Sequence, residues 1–178
     1  LRPGLGSAGT LSGNMLARVI SLHRQGRGYA GDLQCVDGEF PVATASLSLV
    51  YALFVLETSA DPQALLSEMA RMLKPEGTAV ILSLNPRAPF RLRWSFAGLD
   101  AIAPSTLAGQ LRQHGLEVSR QRSVGPVWKA RAADEVFGPQ GSALLAPIRA
   151  ATLTVARRRD PGLNFIRQSS PGIRLQTG

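Results

Sequence analysis

The stretch from residue 47 to residue 84 leaves little freedom in how the chain can fold. Leu47, Leu49, Val50, Tyr51, Ala52 and Leu53 form a nearly continuous apolar run. Strands covered by helices on both faces read this way, and parallel sheets are the usual setting. Asp61 offers an N-cap oxygen, and Pro62 suits the first helical position, where no N–H is needed. Leu65, Leu66, Met69, Met72 and Leu73 then recur at helical spacing, with Glu68 and Arg71 opposite. Lys74 falls at the negative end of that helix's dipole, and Pro75 and Gly77 stop the helix. Residues 78–84 are a second apolar strand. Two buried strands joined by one helix imply a right-handed parallel crossover. The spacing predicts a doubly wound α/β fold with a mostly parallel sheet.

Elsewhere the punctuation is weaker. Met15, Val19 and Leu22 suggest a helix over residues 14–23, and Gly-containing residues 25–31 read as a polar loop. Residues 32–36 read as a short strand. Asn85-Pro86 ends the second apolar strand, and residues 87–96 mix Arg, Phe and Trp in a loop or short helix. A helix is expected over 105–114, with Leu107 and Leu111 inward and Gly115 as its stop. Strands are expected over 116–124 and 150–156, and a lid-like helix near 130–137. Residues 1–158 form one α/β domain in this reading. Residues 159–178, poor in apolar side chains, form a disordered tail.

Composition excludes several classes. The 178 residues suffice for one ordinary domain, and the 44% hydrophobic content supports a sizeable core. No apolar run approaches the roughly 18–20 residues of a membrane span, so no membrane association is expected. A single cysteine, Cys35, excludes an internal disulfide. With no secretory signal pattern, it points to the cytoplasm. The formal net charge of +8 favours anionic partners such as nucleic acid or phosphorylated substrates. A scattered basic surface gives the same number, so clustering decides.

The sequence lacks the machinery of several reaction types. His23 and His114 have no Cys or carboxylate at ligand spacing, so no metal site is expected. No G-x-S-x-G nucleophile elbow occurs, and no paired carboxylates stand out. Cys35 sits in an apolar context that suits an inert thiol. A reaction that needs positioning plus a reactive cofactor is the class left standing. Gly4-Leu5-Gly6-Ser7-Ala8-Gly9 matches G-x-G-x-x-G, a spacing that lets backbone approach a cofactor closely; a flexible N-terminus gives the same pattern.

Residues 37–86 carry the most specific signal as a combination. Phe40-Pro41-Val42, Leu49-Val50-Tyr51-Ala52-Leu53, Val55-Leu56-Glu57, the run from Leu65 to Gly77 and Asn85-Pro86 occur in that order. This resembles the class I S-adenosylmethionine-dependent methyltransferases, in the branch called methyltransferase type 11, which have a Rossmann-like sheet. There the pattern runs "LPF", a fourth strand, "VLEH", a helix ending in "KPGG", and a fifth strand. This chain departs at Ser48, where the family has an acidic residue, at Thr58 for the His, and at Glu76 for one glycine. The first half is also short, and residues 1–31 contain no acidic residue that could hold a ribose.

The resemblance implies S-adenosyl-L-methionine as cofactor and an unidentified methyl acceptor. Gly4 and Gly6 would correspond to the glycine loop near the methionine moiety, and Asp37 to the loop at the adenine ring. Ala52 and Leu53 would border the methionine moiety at the carboxyl end of the fourth strand. Phe54 and Asn85 would face the methyl group and the acceptor. For Ala52, Leu53 and Phe54, plain core packing is the alternative. No catalytic base is identified: Glu57 is a candidate, but a carboxylate at a helix start also suits backbone N–H groups. Two other readings stay open. One is a methyltransferase-like module without catalysis that holds RNA or a protein through a basic surface including Arg91, Arg93 and Trp94. The other is a nicotinamide dinucleotide domain built on residues 4–9, with Arg24 or Arg27 at a 2′-phosphate.

Overall fold

The computed structural model describes residues 19–26, 28–36, 38–127 and 143–159. Gly4, Gly6, Asp37, the expected lid near 130–137 and residues 160–178 lie outside them.

The predicted crossover is present. Strand β4 (Leu47–Leu53) leads through a 3-10 turn, Leu56–Thr58, into helix α1 (Pro62–Met72), and α1 leads into strand β5 (Leu73–Leu84). The two strands pair in parallel, from Leu49 opposite Thr78 to Leu53 opposite Leu82. Asp61 caps α1: its Oδ1 accepts from the backbone N–H of Gln63 and of Ala64, both at 3.0 Å. Leu65, Leu66, Met69 and Met72 are buried against the sheet. Each such side chain contributes about 1.5–3 kcal/mol by leaving water.

The end of α1 differs from the sequence reading. Lys74 is exposed and caps nothing. The cation at the helix terminus is Arg158, whose Nη1 donates to the carbonyls of Ala70 (2.9 Å), Arg71 (3.3 Å) and Leu73. An arginine 85 residues downstream satisfies the orphan carbonyls that a local lysine was expected to serve.

Four strands form the main sheet, in the order β4-β5-β7-β6, with β6 spanning Leu116–Val124 and β7 spanning Ala151–Arg158. Strand β7 runs antiparallel to both β5 and β6. Strands β4, β5 and β6 therefore point the same way, and β7 is inserted against them. Helix α3 (Pro104–Gln113) lies beside α1 and buries Leu107 and Leu111. Gly115, with φ of +75°, ends α3 in the left-handed conformation that favours glycine.

The amino-terminal part departs from expectation. Residues 22–25 are not helical, and the polar loop is a hairpin. Strand β1 (Leu22–Gln25) pairs antiparallel with β2 (Gly28–Gly31), which pairs antiparallel with the short β3 (Cys35–Val36). Leu22 and Tyr29 point into the same core as α1, and the Tyr29 ring sits 5.4 Å from that of Phe40. Spacing of three to four residues suggested a helix; hairpin pairing around Gly26, at φ +59°, overrides it.

Two substitutions test this account. Asp61→Ala removes both cap bonds and is expected to cost about 1 kcal/mol in urea unfolding. Glu76 adopts φ +61°, the left-handed conformation that favours glycine. Its ion pair with Arg157, 3.8 Å between exposed side chains, offsets little of that strain. Glu76→Gly is expected to raise stability by roughly 0.5–1 kcal/mol; a loss of stability would contradict the strain.

Candidate functional site at the carboxyl ends of β4 and β5

Open α/β sheets place ligands beyond the carboxyl ends of their strands. Here that rim is built by the ends of β4 and β5. Ala52 is fully buried and belongs to the core, one residue inside the rim. Leu53 and Phe54 are half-buried. The Phe54 N–H donates to the Leu82 carbonyl at 2.8 Å, extending the parallel ladder by one residue. Phe54 itself has φ +52°. A left-handed bulky residue costs about 1–3 kcal/mol, and such strain concentrates at functional sites. It turns the chain sharply off the sheet into the 3-10 turn.

Glu57 projects from that turn into the protein and is 6% exposed. Its Oε1 accepts from the Leu84 N–H, bracing the end of β5 against the end of β4. Its Oε2 is buried with no hydrogen-bond partner among the described residues. Burial pushes the Glu57 carboxyl above its ordinary value of 4.5, although backbone N–H donors pull the other way. Glu57 is thus a buried brace, the second of its two sequence readings.

Asn85 is 2% exposed and fully engaged. Its Nδ2 donates to the carbonyls of Pro147 (2.9 Å) and Arg149 (2.7 Å), and its Oδ1 accepts from the Arg87 N–H (3.0 Å). Its backbone N–H donates to Ala150. Asn85 therefore clamps residues 147–150 onto the end of β5 and does not present its amide to an acceptor. Its expected placement facing the acceptor is corrected by this set of bonds, which no local pattern announces.

Sequence reasoning also missed an anchor on the other side. Glu68 Oε2 accepts from the Phe40 N–H at 3.2 Å. Arg71 donates to both Glu68 oxygens (2.7 and 2.8 Å), to the Phe40 carbonyl (3.1 Å) and to Thr44 Oγ1 (3.1 Å). These bonds to Arg71 hold the Glu68 carboxyl below the usual carboxylate range. The charged face of α1, opposite its apolar one, fastens residues 40–44 to the helix. Gly38 lies against the first turn of α1, where an added Cβ would stand 3.2 Å from the Ala64 Cβ. The loop preceding β4 thereby runs along α1 from the ligand rim.

No group of three His, Cys, Asp or Glu side chains suited to a metal occurs among the described residues. Likewise no helix among them is long and apolar enough to cross a membrane.

Comparison with known proteins agrees with this architecture. Residues 8–81 match the methyltransferase domain family model. A malonyl-[acyl-carrier protein] O-methyltransferase of Laribacter hongkongensis is 36% identical over 69 residues, covering 38% of this chain and 23% of that protein. The chain therefore spans about a quarter of that relative's length. A SAM-dependent methyltransferase from Thermotoga maritima superposes with a TM-score of 0.57 at 15% identity, over 71% of this chain and 63% of that one. The complex of the Haloferax volcanii Trm112 methyltransferase activator with a methyltransferase gives 0.53 at 22% identity, over 69% of this chain and 58% of that one.

The buried Glu57 makes a pH-dependent prediction. The folded state binds its proton more tightly than the unfolded chain does. The resulting stability is full below pH 4.5 and declines as pH rises through the raised folded value. Glu57→Gln keeps an oxygen for the Leu84 N–H and cannot titrate. Urea midpoints of the variant are expected to fall less than those of the unaltered chain as pH rises above 4.5; identical profiles would refute a raised carboxyl. Residues 8–81 thus resemble a methyltransferase domain, and the described strands share the fold of solved methyltransferases.

Proposed function

We propose that this chain is the cofactor-side portion of an S-adenosylmethionine-dependent methyltransferase working in the cytoplasm. The observation that carries the reading is the strained Phe54 beside half-open Leu53, at the rim where this fold binds ligands. Leu53 is assigned to the methionine moiety, with buried Ala52 supporting it from the core, and Phe54 to the boundary between cofactor and acceptor. Gly4, Gly6 and Asp37 remain assigned to the cofactor by resemblance. The single cysteine supports the reducing compartment.

The cofactor supplies an activated sulfonium methyl, so the protein's task is alignment and exclusion of water. Phe54 offers an apolar wall for that purpose. Glu57 and Asn85 act on the site by position: one locks β4 to β5, the other closes residues 147–150 over the end of β5. With its carboxyl buried and bonded to backbone, Glu57 is a brace and not a proton acceptor for substrate. The acceptor of the Laribacter relative is carrier-bound malonate, by its name. A carboxylate acceptor would be consistent with the basic charge here.

Isothermal titration with S-adenosylhomocysteine tests the proposal. Binding in the micromolar range, about −8 kcal/mol, is expected. Leu53→Asp is expected to weaken it about tenfold or more, because it places a charge on the apolar rim. Absence of binding by the unaltered chain would remove the reading.

A further inference from the structure

Helix α2 (Arg91–Phe96) follows β5 directly beyond the Asn85 clamp. None of its residues is buried. Phe90 and Trp94 pack together, with ring centroids 6.0 Å apart. Leu92 and Phe96 stand four residues apart and so share one face of the helix. They are 70% and 90% exposed. Such display of two large apolar side chains side by side opposes the hydrophobic effect and needs a reason. Gly98, at φ +70°, closes the turn and fixes the helix in this presentation.

The charges around this pair are of one sign. Arg87, Arg91 and Arg93 are all exposed, and none forms an ion pair among the described residues. No acidic residue occurs between Glu76 and Asp100. An apolar centre with a charged rim is the anatomy of a protein-binding patch. Two apolar side chains on a helix of six residues bury too little surface for a stable membrane anchor. RNA binding relies on stacked planar groups, and of the two displayed side chains only Phe96 offers a π face while Leu92 offers none.

We infer that α2 is a docking surface for an acidic partner protein, which inserts an apolar helical stripe over Leu92 and Phe96 and sets its carboxylates against Arg87, Arg91 and Arg93. The surface adjoins the ligand rim, so a partner seated there could present the methyl acceptor; that last clause rests on the proposed function, and the docking itself does not.

The experiment uses the full chain and a synthetic amphipathic helical peptide with a Leu stripe flanked by Glu. A scrambled peptide, a Lys-for-Glu version, a short single-stranded RNA and phosphatidylglycerol vesicles are the comparisons. Saturable binding of the Glu peptide alone is expected. L92S/F96S and R91E/R93E are each expected to weaken it about tenfold or more, as for central interface residues. Because these side chains are exposed, thermal unfolding of the variants should match that of the unaltered chain. The proposal is overturned if the Glu peptide does not bind, or if binding survives both double variants. It is equally overturned if the scrambled peptide binds as well, or if RNA or vesicles bind more tightly than the peptide. S-adenosylhomocysteine titration of the unaltered chain separates the two readings. Lost cofactor binding with intact peptide binding removes the enzyme reading alone.

Discussion

The parallel pairing of β4 with β5 is the constraint on which the rest depends. A parallel pair cannot be closed by a tight turn, so a helix must return the chain across one face. That requirement produces α1, and α1 brings the large buried side chains Leu65, Leu66 and Met69 onto Val50, Ala52, Ala79 and Ile81. The same pairing aligns the carboxyl ends of both strands. The rim where Phe54, Glu57 and Asn85 meet is therefore a by-product of strand direction.

Three polar devices fix that rim and the opposite end of α1. The Glu57 carboxyl receives the Leu84 N–H, and the Asn85 amide holds the carbonyls of Pro147 and Arg149. At the far end, Arg158 gathers three carbonyls at the terminus of α1. Each device satisfies backbone groups that would be costly to leave buried and unpaired. Each also ties together segments distant in sequence: 27 residues for Glu57 and Leu84, and 62 for Asn85 and Pro147. The rim is held by long-range polar bonds laid over a local hydrophobic core. A binding site needs this combination, because apolar packing alone tolerates small displacements that a ligand does not.

The basic charge, diffuse in composition, becomes specific in the fold. Arg71 and Arg158 are structural cations bonded to carbonyls and to Glu68. Arg157 and Arg159 pair with Glu76 and Glu117 at the surface. Arg87, Arg91 and Arg93 are exposed beside displayed Leu92 and Phe96, and Arg112, Arg120 and Arg122 are exposed elsewhere. Net charge thus overstates the basic surface that is open to an anionic partner.

Residues 47–84 announced their own fold. Buried strands, an Asp-Pro helix start and one apolar helical face are local signals, and local hydrogen bonds and propensities enforce them; the helix ends at Met72, before the expected Pro75-Gly77 stop. The Asp61 cap and the burial of Leu107 and Leu111 followed the same logic. The site was legible only as a location: Ala52, Leu53 and Phe54 are at the rim, but nothing nearby in sequence gave the left-handed turn at Phe54 or the enclosure of Asn85. Tertiary structure decided the amino-terminal hairpins, the insertion of β7 between β5 and β6, and the roles of Glu57, Asn85 and Arg158. In each case the partner lies tens of residues away or across a sheet, and a buried polar group takes whichever partner the packed fold brings within reach.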